Sequence, residues 1–233
     1  MGYQLLNKSA FDPDEIDVLL HLLDMRRQLF GDGVCAIDCG ANIGVQTIEW
    51  AKLMHGWGKV VAIEAQERIF YALAGNITLN NCFNARAIWA AVGADEDFIN
   101  VPVPDYLTPS SFGSLEIRKS ETTEFIGQEI DYSPENTRKT RMITIDGMAL
   151  ARVDLIKIDI EGMEMEGLEG ANHTIENLKP ILFIEHIKTN LEELNRFLLS
   201  RGYRVFTLGI NLLAGHESDP IAAMIQVTKN ESL

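Results

Sequence analysis

Apolar residues recur along this chain with two periods, and the changeovers between them divide it into elements. Between residues 12 and 30, Ile16, Leu19, Leu20, Leu23 and Phe30 follow helical spacing, which predicts an amphipathic helix. Asp12 is placed to cap it, Pro13 suits its first turn, and Glu15 completes a capping-box pattern. Gly31-Asp-Gly33 ends the run. From residue 34 short, nearly continuous apolar runs alternate with helical stretches. Strands are predicted over 34–39, 59–64 and 85–92, with helices over 43–55 and 66–80. Unbroken apolar strands separated by helices indicate a parallel sheet covered on both faces.

The alternation stops over residues 95–140, a polar stretch holding Pro102, Pro104, Pro109 and Pro134. Short strand-like pieces at 99–103 and 112–117 make it an insertion of small strands and loops, not a separate domain. An irregular segment of this length either covers a substrate or is a plain surface loop, and the pattern leaves both readings open. Strands then follow at 142–145, 153–159, 181–185, 203–208 and 222–228, with helices at 164–177 and 189–200. Two successive strands at the end, with no helix between, predict that the last runs antiparallel. The expectation is one α/β domain over 1–233, with a helical extension at 1–33 and an insertion at 95–140.

Composition narrows the partners. The 233 residues include 20 Lys and Arg against 34 Asp and Glu, a net charge of −14. So acidic a chain is expected to bind neither nucleic acid nor an anionic membrane; its densest basic stretch, Arg138-Lys-Thr-Arg141, is short. No apolar run approaches the roughly 20 residues of a membrane span, and no secretory leader pattern opens the sequence. Three cysteines (Cys35, Cys39 and Cys82) in apolar surroundings fit free thiols of a reducing compartment. A cytoplasmic setting is expected, and the sequons at Asn76 and Asn172 carry little meaning there.

The first strand ends in Asp38-Cys-Gly40-Ala-Asn42-Ile-Gly44, which opens the next helix. Ligands of open parallel sheets bind beyond such strand ends. Gly40 permits close backbone approach and Gly44 lets the helix pack on the sheet. Glu64 ends the second strand, where a carboxylate accepts hydrogen bonds from the hydroxyls of an adenosine ribose. Dinucleotide sites place a third glycine between these two so that pyrophosphate lies against bare backbone. This loop lacks it and carries Asp38, which would repel a phosphate. S-adenosylmethionine bears a sulfonium and an ammonium and suits an acidic lining. It is therefore favoured over NAD, with a turn that serves only the fold as the plain alternative. The expected cofactor contacts are Asp38, Gly40, Asn42, Gly44, Glu64, Ala65 beside it, Ala91 at the end of the third strand, and Asp159.

Asp154-Leu-Ile-Lys-Ile-Asp159-Ile-Glu161-Gly162 is the second unusual stretch. Lys157 lies within a strand, where its charge needs a partner. Asp159 and Glu161, two apart, project to one side while the chain is extended. Glu185-His186 adds an acid and an imidazole at the end of the next strand. Asp159, Glu161 and His186 are the candidate catalytic residues, any of which suits a general base. Each also has a structural reading: Glu161 as a helix cap, Glu185 paired with Lys157 or Lys188, His186 bonded to a backbone carbonyl. Asp, Glu and His together also suit a divalent metal, but spacing alone does not make a site, and no metal is assigned.

These motifs, with Val61-Ala-Ile-Glu64, Thr144-Ile-Asp146, Leu155-Ile-Lys-Ile-Asp-Ile-Glu-Gly162, Leu168-Glu-Gly-Ala171 and Pro180-Ile-Leu-Phe-Ile-Glu185, resemble FkbM-type methyltransferases over about residues 34–187. The resemblance implies the class I methyltransferase (Rossmann-like) fold, S-adenosylmethionine as donor, and O-methylation of a small hydroxylated molecule such as a sugar or polyketide-like compound. N-methylation of an amine, an NAD-dependent oxidoreductase and a non-catalytic S-adenosylmethionine-binding protein are the alternatives. Substrate choice is expected in the N-terminal helix and the 95–140 insertion.

Overall fold

A computed structural model describes residues 13–225. The first helix, α1 (Pro13–Phe30), carries Asp14 and Glu15 in its first turn and Arg27 in its last, matching the helix dipole. The Asp12 cap lies outside the described residues. Five parallel strands follow: β1 (Val34–Cys39), β2 (Gly58–Glu64), β3 (Ala85–Trp89), β7 (Leu155–Ile158) and β8 (Ile181–Glu185). Between them lie α2 (Val45–Leu53), α3 (Glu67–Leu79), α4 (Glu164–Glu169) and α5 (Asn172–Leu178). After α6 (Leu191–Leu199) come β9 (Tyr203–Leu208), β10 (Asn211–His216) and α7 (Pro220–Met224). The sheet order is β3-β2-β1-β7-β8-β10-β9, with β10 antiparallel to both neighbours. This is the mostly parallel sheet with an antiparallel last strand that the sequence predicts.

Strand alternation sorts the core into two layers. Ala36, Ala62, Leu155, Phe183 and Leu213 pack against Leu19 and Leu23 of α1 and Trp50 of α2. Ile37, Ile63, Ile156, Leu182 and Leu212 pack on the other face against Leu168, Ile175 and Leu194. All three cysteines are free and buried. No helix among the described residues is long and apolar enough to cross a membrane.

Several predicted elements are revised. The strand expected over 85–92 breaks at Ala90, whose N–H bonds Glu64 O at 3.1 Å. Beyond it, β4 (Ala91–Val92) leaves for a second sheet, pairing with β6 (Thr137–Ile143), which also pairs with β5 (Asp97–Pro102). The expected strand at 112–117 is a 3-10 turn, Phe112–Ser114, followed by a loop folded onto the Glu116 carboxylate. The helix expected over 164–177 is two, because Gly170 seats so close to Gly93 that a Cβ would lie 2.0 Å from its carbonyl oxygen. Asp146 then starts α5 by accepting from His173 N and Thr174 N, both at 2.8 Å.

The strand expected over 222–228 is displaced. Its described part is helical, since Asp219 caps Ile221 N and Pro220 opens α7, and residues 226–228 lie outside the described residues. The antiparallel strand is β10, turned back from β9 at Gly209, whose φ of 60° suits the turn.

Candidate functional site

The carboxyl ends of β2, β1, β7 and β8 and the start of β10 open into a cavity of about 500 Å³, within the usual range for ligand sites. Glu64, Asp38, Lys157, Glu185 and Asn211 fall on the alternation positions that face α1 and α2, so the sheet delivers their side chains to one side. Six carboxyl groups line the cavity (Glu15, Asp38, Glu64, Asp159, Glu161 and Glu185), with Lys157 the one basic side chain among the lining residues. Of the expected cofactor contacts, Asp38, Gly40, Asn42, Glu64, Ala65, Ala91 and Asp159 all line it. Gly44 does not; it sits at the N-terminus of α2 with φ 91°, where a Cβ would meet Leu73 Cδ1 at 2.7 Å.

The loop after β1 is held by backbone. Gly40, at φ 75°, lies so near β7 that a Cβ would stand 1.7 Å from Asp159 O. Gly40 N and Ala41 N both donate to Ile63 O, at 3.0 and 2.9 Å. Glu64 completes the brace: its Oε2 accepts from Asn42 N at 2.9 Å and its Oε1 from Gln66 N at 2.8 Å. Burial pushes its carboxyl up to about 7 despite these bonds, which favour the charged form. Each oxygen retains a lone pair for a ligand hydroxyl.

Asp38 is buried, accepts from Thr47 Oγ1 at 2.6 Å, and has its pKa raised by burial against the pull of Lys157. Lys157 Nζ lies 2.8 Å from Asp159 Oδ2 and 3.8 Å from Asp38 Oδ1. Burial alone would strip its proton; Asp159 and Asp38 outweigh that and hold it above the usual lysine range. Lys157 thus finds its partner in Asp159, and the alternative of a Lys157–Glu185 ion pair is not the one formed.

Asp159, Glu161 and Glu185 converge, with one oxygen of each within 4.8 Å of the others. Burial would raise the Asp159 carboxyl, but Lys157 and a hydrogen bond with Glu185 hold it low; Glu185 is raised by burial and by the Asp159 charge. The pair therefore shares one proton near neutral pH. Burial pushes Glu161 up to about 7, opposed by Lys188 Nζ at 2.6 Å from Oε2. Glu161 does not cap α4, whose N-cap position is held by Met163; Glu164, in the first turn, reaches back to accept from Ile160 N at 3.2 Å and Gly162 N at 3.0 Å. His186 lies outside the cavity lining; its backbone N–H donates to Ile210 O at 3.0 Å and its Nε2 is buried without a partner.

The insertion forms one wall. Residues 110–115 and Ile117 line the cavity, tied down by Gln66 Nε2 donating to Phe112 O at 2.8 Å. Lys188 anchors the same segment, lying 3.1 Å from Ser114 O and 3.0 Å from Glu124 Oε2. Sequence reasoning missed Glu15, Gln46 and Asn211 as lining residues. Glu15 carried a signal, since it is a charged residue on the buried face of α1, in line with Leu19, Leu22 and Arg26; Asn211 carried none, because the pattern does not reveal β10.

The sequence matches the Methyltransferase FkbM domain over residues 38–205. It is 28% identical over 155 residues to methyltransferase sdnD of Sordaria araneosa, covering 58% of this chain and 60% of that protein. The methyltransferase FkbM of Methylobacillus flagellatus superposes with a TM-score of 0.56 at 19% identity, over 79% of this chain and 43% of that one. A methyltransferase from Geobacter sulfurreducens gives 0.51 at 11% identity, over 88% of this chain and 80% of its own. At these identities the two structures speak for the fold alone. The chain spans less than two thirds of the length of the first two relatives.

Proposed function

The chain belongs to the FkbM methyltransferase family, and from that premise we propose that it transfers a methyl group from S-adenosylmethionine to a hydroxyl of a small molecule such as a sugar or a natural product. The observation that carries the reading is the cavity's lining of six carboxyls and one lysine, beside a Glu64 brace suited to ribose. A pyrophosphate would meet repulsion there, whereas a sulfonium gains from it. The missing Cβ of Gly40 lets the loop seat on Asp159 O, which brings the loop and Asp159 together in the cavity wall. Glu64 would hold the ribose hydroxyls, Ala65 and Ala91 the walls around the base, and Asp38 and Asp159 the cationic portion. Bound there, the donor supplies a methyl group activated by its sulfonium.

The chain's own residues do the rest. Positioning carries most of such a displacement, and the 110–115 segment excludes water from above. Glu161, raised to about 7, is matched to take a hydroxyl proton near neutral pH. Asp159 stays ionised beside Lys157, and Glu185 keeps the shared proton.

Thermal melting with S-adenosylhomocysteine and with NAD tests the donor. A ligand at 100 times its Kd stabilises by about 2.7 kcal/mol; a shift with NAD and none with S-adenosylhomocysteine overturns the reading. Mass analysis of small-molecule extracts incubated with methyl-labelled donor tests the acceptor. Label on hydroxyl oxygens supports O-methylation, and label confined to amines refutes it.

A further inference from the structure

Residues 110–117 of the insertion form a strap along the cavity, and three contacts seat it there. At the β2 end, Gln66 Nε2 donates to Phe112 O at 2.8 Å. In the middle, Gly113 rests on the loop after β1, where an added Cβ would stand 2.6 Å from Asn42 Nδ2. At the β8 end, Lys188, in the link between β8 and α6, donates to Ser114 O at 3.1 Å. Beyond Ser114 the chain turns around the Glu116 carboxylate, which accepts from Glu124 N at 3.0 Å and Thr123 Oγ1 at 3.2 Å. Tyr132 Oη donates to Glu116 O at 3.1 Å, so the turn is a built unit and not a slack loop.

The Lys188 ammonium has three N–H donors and three short partners: Glu161 Oε2 at 2.6 Å, Glu124 Oε2 at 3.0 Å and Ser114 O at 3.1 Å. Glu116 Oε1, at 3.6 Å, is beyond hydrogen-bond reach and adds only its charge. Two of the three partners belong to the insertion, and the third is an acid of the cavity wall. The Lys188 side chain is 13% exposed, so water and salt screen these contacts little. Burial would strip its proton, but Glu161 and then Glu124 hold it above the usual lysine range. The ion pair between Arg118 and Glu166 of α4 is more exposed, and such pairs contribute little. Glu161 has φ 56°, which a non-glycine residue keeps only where its surroundings hold it; Lys188 supplies a side-chain hold.

We propose that Lys188 is the positioning residue of the acceptor side: one ammonium latches the strap over the cavity and sets the Glu161 carboxylate against the acceptor, so that closure and placement of the base are a single event. With the strap lifted, Lys188 would lose two of its three partners and Glu161 its fixed orientation. Lys188 is not among the described lining residues and acts through Glu161 and the strap. The inference rests on the methyl-transfer reading with Glu161 as base.

Trypsin reads the strap directly, because Arg118 and Lys119 are exposed within the turn. In Lys188→Met, cleavage there and release of S-adenosylhomocysteine should both quicken about 10- to 100-fold, the range of a hydrogen bond to a charged group. Lys188→Arg keeps the charge and should return both to within about threefold of wild type. Label transfer from saturating methyl-labelled donor into the small-molecule extract reads the base. Glu161→Gln and Lys188→Met should each lower it about 100-fold or more, and the double variant should lose no more than either, as residues acting as a unit do. Losses that multiply in the double variant would overturn the proposal, because the two residues would then act separately. Unchanged cleavage and release in Lys188→Met, or no recovery in Lys188→Arg, also overturns it. Should Lys188→Met fail to fold, Glu124→Gln takes its place: cleavage about threefold faster supports the latch, and unchanged cleavage refutes it. A wild-type chain that binds S-adenosylhomocysteine but transfers no label removes the transfer reading itself, and this inference with it.

Discussion

Gly40→Ala is the substitution for which the structure dictates the largest local effect. Two penalties combine. Gly40 has φ 75°, a conformation that costs an L-residue about 1–2 kcal/mol. The new Cβ would also stand 1.7 Å from Asp159 O. Both groups are backbone, so no rotamer relieves the clash and the loop must lift off β7. Lifting it strains the Asn42 N–H bond to Glu64, a contact with a carboxylate worth about 1.5–3 kcal/mol. Together these predict a destabilisation of roughly 3–5 kcal/mol. At about 2–4 °C per kcal/mol for a chain of this size, the melting temperature should fall by roughly 6–20 °C.

Gly56→Ala is the matched control. Gly56 has a similar φ of 80°, but a Cβ added there would meet nothing within 4 Å, so only the conformational penalty applies, roughly 2–8 °C. Melting followed by circular dichroism, with and without S-adenosylhomocysteine, separates the two. Gly40→Ala should lose ligand stabilisation, and Gly56→Ala should keep it. Equal melting temperatures with intact ligand stabilisation in both variants would refute the reasoning, since the seat of Gly40 on β7 would then be unimportant.

Three further outcomes follow from buried charge. Glu64 titrates near 7 when folded, against an ordinary value of 4.5, so the folded chain retains a proton that the unfolded chain has released. Stability should therefore fall by about 3 kcal/mol as pH rises from about 4.5 to 7. Urea midpoints across this range should slope less in Glu64→Gln, and an unchanged slope would reject the assignment. Lys157→Met strands Asp159 and Asp38 without a cation and should cost about 3–5 kcal/mol, read from urea denaturation; a loss below about 1 kcal/mol would place the ammonium elsewhere. Arg26 is 5% exposed and bridges Asp154, at 3.2 Å, and Asp219. Arg26→Met should cost a similar amount, with faster proteolysis within α1, and retained protease resistance would argue against that anchor.

The sequence disclosed what local pattern controls. The strands of the parallel sheet, the Gly40 loop and Glu64 all follow from apolar runs and glycine placement, and apart from the end of β3 each stands where that pattern put it. The misplaced elements have tertiary causes. The two-helix break at Gly170 depends on Gly93, 77 positions away in sequence, and no local propensity reports that contact. The break at Ala90 depends on a bond to Glu64 O. Strand β10 is hidden because its six residues are flanked by a turn and a capped helix that the apolar run over 222–228 outweighs. Asn211 is hidden with it. The acids after β7 were legible as a cluster, but their partners were not, because side-chain direction at Glu161 depends on its φ of 56°. His186 shows the converse: its neighbour Glu185 reaches the cavity while its own ring does not.

Arg26 and Glu15 give α1 an unusual place in the order of synthesis. The helix is made before the sheet, yet Arg26 needs Asp219 and Glu15 needs Asn211. Those partners leave the ribosome almost two hundred residues later. A growing chain that has completed the parallel strands therefore carries the glycine loop and Glu64 but an unfinished wall. On this geometry the wall closes only when the last hairpin docks, so a ribosome-stalled chain ending before residue 211 should fold its centre and leave α1 open to protease.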